Sequence, residues 1–270
     1  MDRTRGLTRR LLIAGGGAVA VVLAAAGFGL LHPVVGPIMG TLAPQAYVET
    51  IADGDIPQKG PFVLVDAASA RLFMIEDGRV EDSMKVIVGK PGSETPAFEA
   101  VMHYATLNPY WYVPTDLTKK IIAPRVVSDG QVYLIDRGYE VIDRVADDAK
   151  VLPWNSVDWK GVAAGTVKVY VRQKPGPYNS MGHVKFNLAR ADGIYLHDTP
   201  HKELFDKPER TLSNGCVRLQ DADRLARWML GDSPKLTTTA PDQHIPLPRG
   251  VPVTVAYLDS KAQMQVAGLQ

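Results

Sequence analysis

The chain has 270 residues, of which 46% are hydrophobic, so it can bury the core of one large domain or two small ones and does not belong to the disordered class. Lys and Arg total 30 against 29 Asp and Glu, a formal charge of +1. That balance excludes the global basic surface of a nucleic-acid binder, and no nucleic-acid partner is expected.

In chain order the first element is an export or anchoring segment. Arg3, Arg5, Arg9 and Arg10 precede an uncharged run from Leu11 to Leu31, long enough to span a bilayer as a helix. The basic flank stays on the cytoplasmic side, which sends the rest of the chain outward, to the periplasm or cell envelope. Arg9-Arg10 with Leu11-Leu12 resembles a twin-arginine export motif, and Ala24 to Ala26 suits a small-residue cleavage rule, so residues 1–31 fit both a cleaved signal and an inner-membrane anchor. Residues 32–60, with Pro33, Pro37, Pro44 and Pro57, read as a spacer.

The folded domain is expected over residues 61–258, followed by a C-terminal tail at 259–270. PFVLVDAASARLFMIEDGRVEDSMKVIVG predicts an antiparallel meander of three strands, turning at Glu76 to Arg79 and ending at Gly89. Further strands are expected at FEAVMHYATL, QVYLIDRG, TVKVYVRQ, HVKFNL, GIYLHD and VPVTVAYL, and the fold class is mainly β with a few helices. Asp221 N-caps a helix whose Ala222, Leu225, Ala226, Met229 and Leu230 recur at helical spacing. Residues 115–165 are irregular, with Pro124, Pro153, Trp154 and Trp159, and read as a lid inserted in the domain.

The stretch RTLSNGCVRL holds the only cysteine, Cys216, in a chain expected to leave the reducing cytoplasm. A lone cysteine is often a small buried hydrophobe; it is a useful nucleophile where a base or a positive field stabilises the thiolate. Of the six histidines, His197 stands at a strand end before the polar turn Asp198-Thr199-Pro200, where a β scaffold presents side chains rigidly. His197 and His201 are four apart, but Pro200 prevents a continuous helix through both, so no metal site is expected. Gly215 allows close backbone approach, and the N–H groups leading into Cys216 can form an oxyanion hole. Ser213 and Asn214 serve either the site or the turn backbone, and Arg218 either the local potential, a substrate carboxylate or a structural ion pair.

HDTP at His197, Phe205, Arg210 and SNGCVRL together resemble the signature of the L,D-transpeptidases, the YkuD-type catalytic domain of bacterial cell-wall enzymes. NPYWYVP from Asn108 and RQKPGPYNSMGHVKF from Arg172 resemble the larger subgroup with a capping subdomain, so the likeness runs from about Pro61 to Leu258. The resemblance implies an L,D-transpeptidase-like β-sandwich in which Cys216 is the nucleophile and His197 its general base. It also implies that Tyr195, Ser213, Asn214 and Gly215 line the site and that Arg218 is the signature arginine. It implies peptidoglycan stem peptides as partners, a tetrapeptide donor and a diaminopimelate-type acceptor, and no cofactor. Many members carry a second histidine where this chain has Asn214, so that histidine's contribution does not carry over. The same Cys/His pair would also serve an L,D-carboxypeptidase, a hydrolase or the attachment of a protein to the wall; a non-catalytic wall-binding module is the reading from another class.

Overall fold

The computed structural model describes residues 56–188, 193–231 and 238–269. The expected signal or anchor and most of the expected spacer lie outside them. Within the described residues no helix is long and apolar enough to cross a membrane. The last residues of the expected spacer are docked onto the domain: Ile56 packs in a core cluster, and the Gly60 N–H donates to Asp77 Oδ1 at 2.7 Å.

Strands β1 (Pro61–Asp66), β2 (Arg71–Glu76) and β3 (Arg79–Gly89) form the expected meander. Asp77 and Gly78 turn it with φ of 49° and 77°, the double positive φ that a two-residue hairpin needs. β1 is apolar without alternation because both its faces are covered. Val63 and Val65 point into the central core, while Phe62 and Leu64 meet a second cluster on the outer side.

After β4 (Phe98–Leu107) the chain leaves the main sheet for a subdomain. This comprises β5 (Trp111–Val113), α1 (Thr115–Leu117), a π-turn at Thr118–Ile122, α2 (Ala123–Asp129), α3 (Gln131–Asp136), β6 (Tyr139–Ile142), β7 (Val151–Leu152) and α4 (Trp159–Ala164), and closes with β8 (Tyr170–Gln173). A small sheet ordered β5-β8-β6-β7 packs on the helices around Val113, Ile122, Ala123, Val126, Leu134, Val141, Trp159, Val162 and Val171. The insertion is thus wider than residues 115–165, because the strand of TVKVYVRQ belongs to it. The strand expected at QVYLIDRG is a correction: Gln131–Asp136 is a helix, and the strand begins only at Tyr139. Its alternating apolar residues match a strand's period, but only Leu134 is buried, in the core of the subdomain.

The chain returns in β9 (Val184–Leu188), which pairs antiparallel with β4, so the whole subdomain stands where a hairpin turn would. Then follow β10 (Leu196–His197), β11 (Thr211–Ser213), β12 (Val217–Leu219), α5 (Ala222–Leu230), β13 (Gln243–Ala256) and α6 (Ser260–Ala267). The main sheet runs β11-β3-β12-β10-β9-β4-β13-β1-β2, and β2 pairs back onto β3, so it closes into a mainly β sandwich. α5, capped by Asp221 accepting from the Arg224 N–H as expected, sends Leu225, Ala226, Met229 and Leu230 into the sandwich core.

The residues read as a C-terminal tail are instead integral to the fold. Asp259 caps α6, and Ala262 and Val266 pack on Phe62, Leu64 and Ile75. Asp66, fully buried, ties this end down by accepting from the Leu258 N–H at 3.1 Å and Gln263 Nε2 at 3.0 Å.

Candidate active site

Three adjacent strands build the site. β10 runs parallel to β12, with Leu196 opposite Val217 and His197 opposite Arg218, and antiparallel to β9, with His197 opposite Lys185. Leu196, Val217 and Phe186 lie in the central core. Side chains alternate along a strand, so Lys185, His197 and Arg218 form a row on the opposite face. Tyr195 and Cys216 fall in the next row of that face, linked by the Val217 N–H donating to the Tyr195 carbonyl at 3.0 Å. His197 and Cys216 are therefore diagonal neighbours on adjacent strands, with Cα atoms about 8 Å apart from strand spacing and rise.

The turn before Cys216 is held from inside. Ser213 Oγ accepts from the Gly215 N–H at 3.1 Å and donates to the Cys216 carbonyl at 2.6 Å. Gly215, at φ 115°, has its carbonyl bonded by Thr95 Oγ1 at 2.8 Å, and an added Cβ would meet Ile194 Cδ1 at 3.1 Å. The Gly215 N–H, offered as an oxyanion donor, is engaged by Ser213, and Ser213 itself is a buried turn residue. Asn214 is exposed on the turn, and Cys216 is half-buried with Sγ 3.6 Å from the Gly193 carbonyl.

His197 is buried, with Nδ1 on the carbonyl of Asp198. Burial, reinforced by the Arg218 charge, pushes its pKa down to about 4, so the ring is neutral at physiological pH. The ring also meets the Met181 backbone, and its neutral form is the state a general base requires. Arg218 is itself held below its ordinary pKa by burial, an effect opposed by Cys216. Among the described residues Arg218 forms no ion pair with a carboxylate, and its charge is felt by both Cys216 and His197.

A second network, absent from the sequence expectations, fixes the His197 strand end. Asp198 is buried and receives Lys202 Nζ at 2.6 Å, His183 Nδ1 at 2.6 Å and the His183 N–H at 3.1 Å. Burial pushes the Asp198 carboxyl up, but the bonds from His183 and Lys202 outweigh it and hold the group well below the usual carboxylate range. His183 Nε2 reaches Asp223 Oδ1 at 2.7 Å, and the bonds to Asp198 and Asp223 lift the His183 pKa to about 9 despite burial. Gly182, at φ 64°, is required beneath this network because a Cβ would sit 2.1 Å from Asp198 Oδ2. The one signal available in the sequence was Asp198 directly after His197. His201 faces Glu203 at 3.2 Å, away from this network, and among the described residues no three His, Cys, Asp or Glu side chains gather as metal ligands.

The subdomain comes near Lys185 on this face. The Tyr112 hydroxyl donates to the Ala146 carbonyl at 3.2 Å, and Asp147 of that turn lies within electrostatic reach of Lys185. Tyr110 stacks under Arg172 at 4.3 Å, and Arg172 is paired with Glu140 at 2.9 Å, so these residues stiffen the subdomain sheet.

Comparisons with known proteins converge on one family. A Haemophilus influenzae protein provisionally named an L,D-transpeptidase is 32% identical over 178 residues, 66% of this chain and 35% of that protein. The chain thus spans about a third of the length of this curated relative. Among solved structures, an L,D-transpeptidase from Mycobacterium smegmatis aligns at 13% identity and a TM-score of 0.35, over 72% of this chain and 58% of that one. An Enterococcus faecium L,D-transpeptidase mutant aligns at 13% identity and a TM-score of 0.35, over 76% and 53%. Superpositions that loose add no weight; the assignment rests on the family model, which matches residues 60–255 and so nearly the whole described domain. By that match the chain belongs to the YkuD family, the L,D-transpeptidase catalytic domain.

Proposed function

We propose that this protein is a peptidoglycan L,D-transpeptidase that forms 3-to-3 cross-links through a Cys216 thioester. The observation that carries the reading is the convergence, within a YkuD domain, of Cys216, a neutral His197 and Arg218 on one polar face. Sγ attacks the carbonyl carbon of the amide between the third stem residue and its terminal D-Ala. The C–N bond breaks, the nitrogen takes the thiol proton by way of His197, and D-Ala leaves. The side-chain amine of a second stem then attacks the thioester, forming an amide and breaking the C–S bond. Its proton returns through His197 to the sulfur. One amide is exchanged for another, and the chemistry requires no cofactor.

Arg218 favours the thiolate, and Asp198 holds the imidazole in the reactive tautomer. The subdomain over the face restricts water, which competes with the acceptor amine for the thioester. The basic N-terminus and the Leu11–Leu31 run support a periplasmic or envelope location, where these stems are, either anchored to the inner membrane or released by cleavage.

The test is incubation of the protein with disaccharide tetrapeptides, with products weighed by mass spectrometry. A dimer lacking one D-Ala is expected; tripeptide alone would make the enzyme a carboxypeptidase, and no change would remove the activity. Cys216→Ala, folded by circular dichroism, is expected to give no thioester and no dimer, and appreciable cross-linking by it would overturn the nucleophile.

A further inference from the structure

Lys185 has no part in the chemistry above, yet it stands in the His197 row on the opposite side from Arg218. Its ammonium lies 5.2 Å from the centre of the Tyr195 ring, which directs the side chain along the row towards Cys216. The side chain is half-buried, and burial draws its pKa down, opposed by Asp242 and Asp147. Among the described residues no carboxylate forms an ion pair with Lys185 and no side-chain hydrogen bond engages it; Asp242 and Asp147 act at longer range. A cation partly withdrawn from water without a hydrogen-bonded counter-ion, standing beside the reacting groups, is placed to receive an anion that arrives with the substrate.

We propose that Lys185 binds a carboxylate of the donor stem remote from the scissile amide, and so selects donors in which that carboxylate is free. Lys185 is two strands from Cys216, about 10 Å across the sheet at ordinary strand spacing. The carboxylate of the leaving D-Ala, directly attached to the reacting amide, is too close to Sγ to reach it and falls to Arg218. Two donor groups lie at the right remove: the carboxylate at the far end of a diaminopimelate third residue, and the α-carboxylate of the D-glutamate before it. Tyr195 and His197 form the floor between Sγ and the ammonium, over which the stem lies.

This proposal rests on the transpeptidase reading, and its test separates the two. Thioester formation is followed by intact-protein mass for wild type, Lys185→Met and Lys185→Arg with three disaccharide tetrapeptides: unmodified, amidated on diaminopimelate, and amidated on D-glutamate. Wild type is expected to prefer the unmodified donor over one of the amidated donors by about tenfold or more, the scale of a charge-assisted bond lost in a partly buried site. Which amide is discriminated identifies the carboxylate. Lys185→Met is expected to bring that ratio near unity and Lys185→Arg to restore most of it; a ratio is insensitive to the fraction of variant folded. Acylation of wild type at equal rates by all three donors, or an undiminished ratio in Lys185→Met, overturns the proposal and leaves the function standing. Absence of a thioester on wild type with every donor removes the function and this proposal with it.

Discussion

The neutral state of His197 has a kinetic signature. A histidine base with an ordinary pKa near 6.5 would lose activity as the pH falls through that value, whereas burial and Arg218 place the His197 loss near pH 4. The acid limb of the acylation rate in the free enzyme is therefore expected close to 4 and well below 6.5. Arg218→Gln tests the cause, because removing the guanidinium acts in two directions at once. The acid limb should move up towards 6.5, and alkylation of Cys216 by iodoacetamide at neutral pH should slow by about tenfold for each unit by which the thiol pKa rises. An acid limb that stays in place would detach Arg218 from His197, and an unchanged alkylation rate would detach it from Cys216. The sequence left Arg218 with three readings open. Only the register, which sets it opposite His197 and two residues past Cys216, ranks them.

At the scale of elements, the turn carrying Cys216 depends on one hydroxyl. Ser213→Ala removes the acceptor of the Gly215 N–H and the donor to the Cys216 carbonyl, at a cost of about 1–3 kcal/mol for buried groups left unsatisfied. A lowered unfolding midpoint with slowed acylation is the expected pair of results; slowed acylation with unchanged stability would mean that Ser213 meets the substrate instead. The subdomain offers a separable test because it has its own core. Leu134→Ala should cost about 2–5 kcal/mol there and shift products from cross-linked dimer towards tripeptide, as water reaches the thioester. A destabilised variant with an unchanged product ratio would make the subdomain a passive attachment. Its existence was legible from irregular composition, but its limits were not. β8 reads as an ordinary strand of the main sheet, since alternation shows that a strand has a buried face and not which sheet buries it. The α6 helix was missed for a related reason. Only Ala262 and Val266 are buried, a stripe too thin to register until β1 supplies the opposing face.

At the scale of the whole molecule, the site was legible where residue identity encodes chemistry, as in Cys216 and His197, and illegible where it depends on what long-range pairing brings together. His183 and Asp223 are forty residues apart and meet only because β9 and α5 pack side by side, which is why His183 passed as one histidine among six. That network ties the stability of the fold to pH with a definite sign. His183 rises from 6.5 unfolded to about 9 folded, so its contribution is complete below pH 6.5 and is lost as pH climbs from 6.5 through 9. His197 works in the opposite sense: its folded pKa of about 4 lies below 6.5, so stability is lost as pH falls from 6.5 towards 4. Asp198, held low by His183 and Lys202, adds a further loss on the acid side as it protonates. The unfolding midpoint is accordingly expected to peak near pH 6.5 and decline on both sides. His183→Gln, which keeps a hydrogen-bonding side chain but cannot become a cation, should flatten the decline between 6.5 and 9 and lessen the Asp198 share of the acid decline, while leaving the His197 share between 6.5 and 4 in place. An alkaline decline as steep in that variant as in wild type would show that its source lies elsewhere. In wild type, a midpoint that does not fall between pH 6.5 and 4 would mean that His197 is buried as the imidazolium, which would remove it as the base.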